Sequence, residues 1–87
     1  MMNVQVMHDK ENQVFYADIQ GQKAELVYKM PEESLIDFKR TFVPENLRSN
    51  EIGKQLVMAG LAYARQNNYR IITSCRFAEK YVHSQHR

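Results

Sequence analysis

LRSNEIGKQL, residues 47–56, marks where the chain changes character. Before it, apolar and polar residues alternate; after it, apolar residues recur at helical spacing. The stretch itself reads as a loop running into an amphipathic helix, with Arg48 just before the turn and Gly53 just inside the helix. Unpaired N–H groups and the dipole at a helix start attract anions, so this is almost a phosphate-holding loop. Glu51 stands where such a loop would most want a glycine.

Downstream, Ile52, Leu56, Ala59, Gly60 and Tyr63, joined by Val57, Leu61 and Ala64, predict a helix over 51–66 that stops at Asn67-Asn68. Residues 69–74 read as a buried strand, and Ser74 can cap a last helix from Cys75 or Arg76 to about Ser84. Upstream, 13–19 and 23–30 are rich in strand formers and joined by the tight connection Gln20-Gly21-Gln22, which predicts a hairpin. Pro31-Glu32-Glu33 breaks the pattern, and 34–43 alternates again until Pro44 ends it. Alternation puts Ile36, Phe38, Arg40 and Phe42 on one face of that strand and Asp37, Lys39 and Thr41 on the other. A further short strand is expected around 4–7. Antiparallel strands followed by strand–loop–helix–strand–helix make an α/β (α+β) fold, a mixed sheet with helices packed on it.

Eighty-seven residues make one domain, 1–87, with one modest core. The net charge of +2 is not the basic footprint of a nucleic-acid binder. One cysteine, Cys75, excludes an internal disulfide framework and fits a reducing compartment. No apolar run is long enough to span a membrane, and the first residues lack the basic-then-apolar pattern of a signal peptide. The expectation is a cytoplasmic protein with neither nucleic acid nor membrane as partner.

Several anchors now share one order and spacing: Gly21 in the hairpin turn, Leu26-Val27-Tyr28, Thr41-x-Val43-Pro44, Leu47-Arg48 to Gly53, Leu56-Val57, Ala64-Arg65, and Cys75-x-Phe77-x-x-x-Tyr81. In these the chain resembles the GNAT superfamily of N-acetyltransferases, within it a very small, single-domain, cysteine-containing subgroup, over nearly its whole length. The resemblance implies acetyl-coenzyme A as cofactor and an amine as acceptor. It implies a mostly antiparallel sheet whose two central parallel strands, here 34–43 and 69–74, splay apart to take the pantetheine arm. The pyrophosphate would sit on 48–53 and the helix start. The cofactor-binding residues so implied are Thr41, Phe42 and Val43, then Arg48, Ser49, Asn50, Glu51, Ile52, Gly53 and Lys54.

The chain departs from the family pattern at Glu51, which replaces the loop's middle glycine, and at Ser49, where the subgroup commonly has another. A carboxylate there would repel a pyrophosphate; alternatively it complements the helix dipole. Cys75 falls at a strand end beside a helix start and precedes Arg76, a setting in which reactive cysteines occur. The resemblance makes it an acetyl acceptor or a wall of the thioester pocket; otherwise it is a small buried apolar residue. Tyr81 is implied as the proton donor to the departing thiolate, or else as the partner of Phe77 at i, i+4. The subgroup often has His-Thr where this chain has Arg40-Thr41, and arginine is no base at neutral pH. Glu25, Glu33 and Asp37 are the substitutes to consider. His83 and His86 make a two-ligand metal case that reads better as a tail. Relatives in the subgroup often continue a little further, so part of an active-site wall is expected to be missing here. Two functions follow: an acetyl-coenzyme A-dependent N-acetyltransferase, or a non-enzymatic binding module with the same fold. A homodimer is compatible with either.

Overall fold

A computed structural model describes residues 3–84, leaving the side chains of Ser49, Asn50 and Ser84 undescribed; His86 lies outside the described residues. The elements are β1 (Met7–Asp9), β2 (Val14–Ile19), β3 (Gln22–Glu32), β4 (Leu35–Phe42), a 3-10 turn (Glu45–Asn50), α1 (Ile52–Gln66), β5 (Arg70–Thr73) and α2 (Arg76–Ser84). The strands form one sheet in sequence order, antiparallel from β1 to β4 and parallel between β4 and β5. The parallel pair therefore lies at one end of the sheet, with β5 outermost. None of the described helices is long and apolar enough to cross a membrane.

Turn chemistry explains the hairpins. Gln20 and Gly21 both have positive φ, 54° and 79°, and Ile19 pairs directly with Gln22. That is a two-residue type I′ turn, whose twist matches that of the strands it joins. Before it, Asp9 accepts from the Asn12 amide at 3.1 Å and from its side chain at 2.8 Å, closing the β1–β2 connection. This turn sets β1 at Met7–Asp9 rather than at the expected 4–7; Val4 instead reaches across to α1, its amide donating to Gln55 Oε1 at 3.0 Å. Pro31 does not end β3. It lies where the β3–β4 register slips between Lys29 and Glu32, a bulge that needs no ladder donor from it.

A second slip changes the site. Val27 pairs with Arg40 but Tyr28 pairs with Phe38, so Lys39 is the extra residue of a β-bulge. The expected alternation fails beyond it. Ile36 and Phe38 are fully buried, whereas Phe42 is 51% exposed. Thr41 pairs with buried Leu26, and directly opposed residues share a face, so Thr41 turns to the core side.

Helix α1 presents Ile52, Leu56, Val57, Leu61 and Ala64 to the sheet. Gly60 lets it come close: a Cβ there would sit 2.7 Å from Phe38 Cε1. The helix stops as expected, with Asn68 at φ 59° and the Asn67 side chain donating to the Tyr63 carbonyl. Strand β5 is a half-exposed outer strand, not the buried one expected; Ile72 is 46% exposed because none of the described elements covers that side. Ala78 and Val82 of α2 complete the core cluster. Ser74 is not the residue that flanks α2, which begins at Arg76; its hydroxyl donates to Asp37, and the Cys75 carbonyl accepts the Glu79 amide.

Away from the loop, aromatic rings tie β1, β2, β3 and α1 together. His8 stacks on Phe15 with centroids 4.0 Å apart, meets Tyr63 edge-on at 4.5 Å, and lies 2.7 Å from the Tyr28 hydroxyl through Nε2. Burial lowers the His8 pKa, with Lys10 adding to the effect and Asp9 opposing it. Burial, then a hydrogen bond to Tyr69, pushes Tyr63 up to about 12.

Candidate active site

Strands β4 and β5 part at one point. Their last pair is Phe38 with Thr73. The Phe38 carbonyl accepts the Ser74 amide at 2.9 Å, the Cys75 amide at 3.2 Å and the Thr73 hydroxyl at 2.9 Å. These bonds peel the chain away from β4 and into α2. Among the described residues, no strand lies beside 39–42 of β4 on that side. Beyond the parting lies a cleft of about 400 Å³ between the end of β4, the start of α1 and α2.

Thr41, Phe42 and Val43 line it from the strand, and Arg48, Glu51, Gly53 and Lys54 from the loop and α1. Tyr81 closes it from α2, together with Phe77, which the sequence suggests only as the core partner of Tyr81. Phe77 does meet Tyr81 edge-on, at 5.4 Å, but it is 37% exposed and its ring lies against α1. A Cβ on Gly53 would come within 2.9 Å of that ring, so the glycine makes room for it. A small residue in the first turn of an amphipathic helix was the sequence signal, legible only with its partner known. Lys80 Nζ sits 5.0 Å from the Phe77 ring and 5.3 Å from that of Tyr81.

Glu51 has φ 58° and ψ 29°, the left-handed conformation that favours glycine. It is exposed, makes no side-chain cap, and joins the 3-10 turn to α1 through its carbonyl, which accepts the Gln55 amide at 3.1 Å. It precedes the first turn rather than lying in it. The amides of Ile52, Gly53 and Lys54 come before that first helical bond and have no acceptor within the helix. The Ile52 side chain is wholly buried, so its backbone is what it can offer a ligand. Arg48 donates through Nε to the Val43 carbonyl at 2.9 Å, tying the loop to the end of β4. Ser49 and Asn50 belong to the 3-10 turn between them.

Cys75 does not line the cleft. It stands half-buried behind it, with Sγ 3.4 Å from the Thr41 hydroxyl and its amide donating to Thr73 Oγ1 at 3.0 Å. The bulge at Lys39 makes the contact with Thr41, because it turns Thr41 to this side. Of the three carboxylates considered as bases, Glu33 is exposed in the β3–β4 turn, and Glu25 pairs with Phe42 on the sheet face away from Thr41. Asp37 is buried at the parting itself, beside Ser74. His83 lies 3.4 Å from Glu79 in α2.

The cleft thus combines helix-start amides, two cations, an unpaired strand edge and a phenol, with a thiol just behind. An elongated ligand with phosphate at one end fits this donor set; the Glu51 carboxylate is the feature that opposes it. A model of the GCN5-related N-acetyltransferase family matches residues 14–87. Protein NATD1 of Gallus gallus is 28% identical over 81 residues, covering 91% of this chain and 74% of the relative. Its Homo sapiens counterpart is 27% identical over 81 residues, covering 91% and 72%. The NMR structure of a GCN5-like putative N-acetyltransferase from Staphylococcus aureus superposes with a TM-score of 0.73 at 30% identity, over 98% of this chain and 83% of that one.

Proposed function

Because the chain belongs to the GCN5-related N-acetyltransferase family, we propose that it transfers the acetyl group of acetyl-coenzyme A to a primary amine. The observation that carries this reading is the parting of β4 and β5 at Phe38–Thr73, which opens onto the cleft at the start of α1. The coenzyme would supply an activated thioester. The amides of Ile52, Gly53 and Lys54, with the Arg48 and Lys54 cations, would hold its pyrophosphate. The unpaired edge of 39–42 offers backbone N–H and C=O groups to an amide-bearing arm, the chemistry of an added strand. Thr41 and Cys75 stand where that edge meets α2, and the Tyr81 hydroxyl is the group we assign to protonate the leaving sulfur. Cys75 serves either as a wall of the thioester pocket or as a transient acetyl acceptor.

A second reading rests on Glu51. A carboxylate about 6 Å from a phosphate, at an effective dielectric of roughly 20–40, opposes binding by on the order of 1–3 kcal/mol. That would make the chain a binding module that keeps the fold with a weakened coenzyme site. Calorimetric titration with acetyl-coenzyme A, in parallel with Glu51→Gly, separates the two. Micromolar binding by the natural chain supports the transferase. Binding by the variant alone supports the module, and binding by neither removes both assignments of the cleft.

A further inference from the structure

Asp37 is the charged side chain that the fold buries among the described residues, 7% exposed. It faces the side of the sheet that the helices leave open, opposite Lys29 on β3 and paired with Ile72 on β5. Its Oδ1 accepts the Ser74 amide at 3.1 Å, and both oxygens lie 3.3 Å from the Ser74 hydroxyl. Ser74 has one hydroxyl proton and serves one oxygen at a time. The remaining partner is Lys39, whose Nζ is 3.4 Å from Oδ2 and 3.4 Å from Ser74 Oγ. Charge-assisted N–H···O bonds are ordinarily about 2.7–2.9 Å, so this ammonium holds the carboxylate loosely. It is also 43% exposed, on the bulge residue, where the backbone does not fix it in the ladder.

We propose, on the transferase reading above, that Asp37 and Ser74 bind the acceptor amine as its protonated ammonium, in the position Lys39 takes in the structure; the ammonium gives up its proton to water on leaving this position, and the neutral amine is what attacks the thioester. The location fits. Asp37 precedes Phe38, the last β4 residue paired with β5, so an amine held there lies at the parting, on the opposite face of the sheet from Thr41 and Cys75, and would reach the thioester through the gap beyond Phe38. The surroundings define the substrate class. Ile72, 46% exposed beside Asp37, offers apolar surface to a short carbon stem. Lys29, Lys39 and Arg40 outnumber Glu25 among the other charges that β3 and β4 put on this open face, which disfavours a polycation. The acceptor is therefore a primary amine with one positive charge and an apolar stem, not a polyamine.

Amide spectra of the 15N-labelled protein, titrated with n-butylammonium chloride and separately with spermidine at constant ionic strength without acetyl-coenzyme A, test this independently of catalysis. Saturable shifts of Ser74 and Lys39 are expected with butylammonium, and weaker ones with spermidine. Asp37→Asn, whose amide oxygen can still accept the Ser74 N–H, is expected to weaken binding about tenfold or more. Lys39→Ala removes the internal competitor and is expected to tighten it about two- to fivefold. No saturable shift at Ser74, binding unchanged in Asp37→Asn, or no tightening in Lys39→Ala overturns the site. Amine binding with these responses but no acetyl transfer keeps the site and removes the transferase reading. Transfer with a KM for the amine indifferent to Asp37→Asn does the reverse.

Discussion

At Glu51 the backbone and the side chain ask for different residues. The left-handed conformation costs an L-residue about 1–2 kcal/mol, and glycine recovers most of this while losing about 0.5–1 kcal/mol of chain entropy. Glu51→Gly should therefore stabilise the fold by about 0.5–1 kcal/mol, a rise in Tm of about 2–6 °C for a domain of this size. A thermal melt checks it, and a lower Tm would mean the carboxylate makes a stabilising contribution that outweighs its backbone cost. Tyr81 poses a question of chemistry rather than strain. If its hydroxyl protonates the leaving sulfur, Tyr81→Phe should lower kcat by about a hundredfold while leaving the Kd for acetyl-coenzyme A unchanged. A variant that loses affinity and keeps kcat would make Tyr81 a wall of the cleft, acting with Phe77.

Among the elements, two glycines of α1 make a contrast that burial decides. At Gly60 a Cβ would press on Phe38, which is wholly buried and cannot yield; at Gly53 it would press on the Phe77 ring, which is partly exposed and can swing into the cleft. Alanine gains up to about 1 kcal/mol of helix propensity over glycine, but overpacking a core costs about 1–3 kcal/mol. Gly60→Ala should thus destabilise by about 1–2 kcal/mol in urea unfolding, and Gly53→Ala by less than about 0.5 kcal/mol. Gly53→Ala should instead weaken coenzyme binding, because the displaced ring fills the cleft. The same elements show what a sequence discloses. Gln20-Gly21 and Asn67-Asn68 were legible because local chemistry sets a two-residue turn and a helix stop. The bulge at Lys39 was not, because period-two alternation continues unbroken through an inserted residue. Thr41 was placed in the site through the family's pattern, but the face it uses, and so its contact with Cys75, depends on that bulge. Phe77 was missed as a lining residue because i, i+4 spacing to Tyr81 reads equally as core.

For the molecule as a whole, the stability margin depends on contacts far from the cleft. His8 belongs to the short outer strand β1 and is fixed by Phe15 of β2, Tyr28 of β3 and Tyr63 of α1. Its folded pKa lies below the ordinary 6.5, first through burial and then through Lys10. Between that folded value and 6.5 the unfolded chain binds a proton that the folded chain does not, so stability rises with pH across this window. The contribution is fully present above 6.5 and is lost as pH falls through the folded pKa, below which it no longer changes. Urea midpoints should therefore fall between about pH 7 and pH 5, and His8→Gln, which keeps a polar partner for Tyr28 without titrating, should flatten the dependence. An unchanged slope in His8→Gln would assign the effect to other titrating groups. The cleft lies at the other end of α1 from Tyr63, so the same substitution should leave acetyl-coenzyme A affinity at about pH 7.5 unaltered, separating the residues that hold the sheet to α1 from those that would hold the coenzyme.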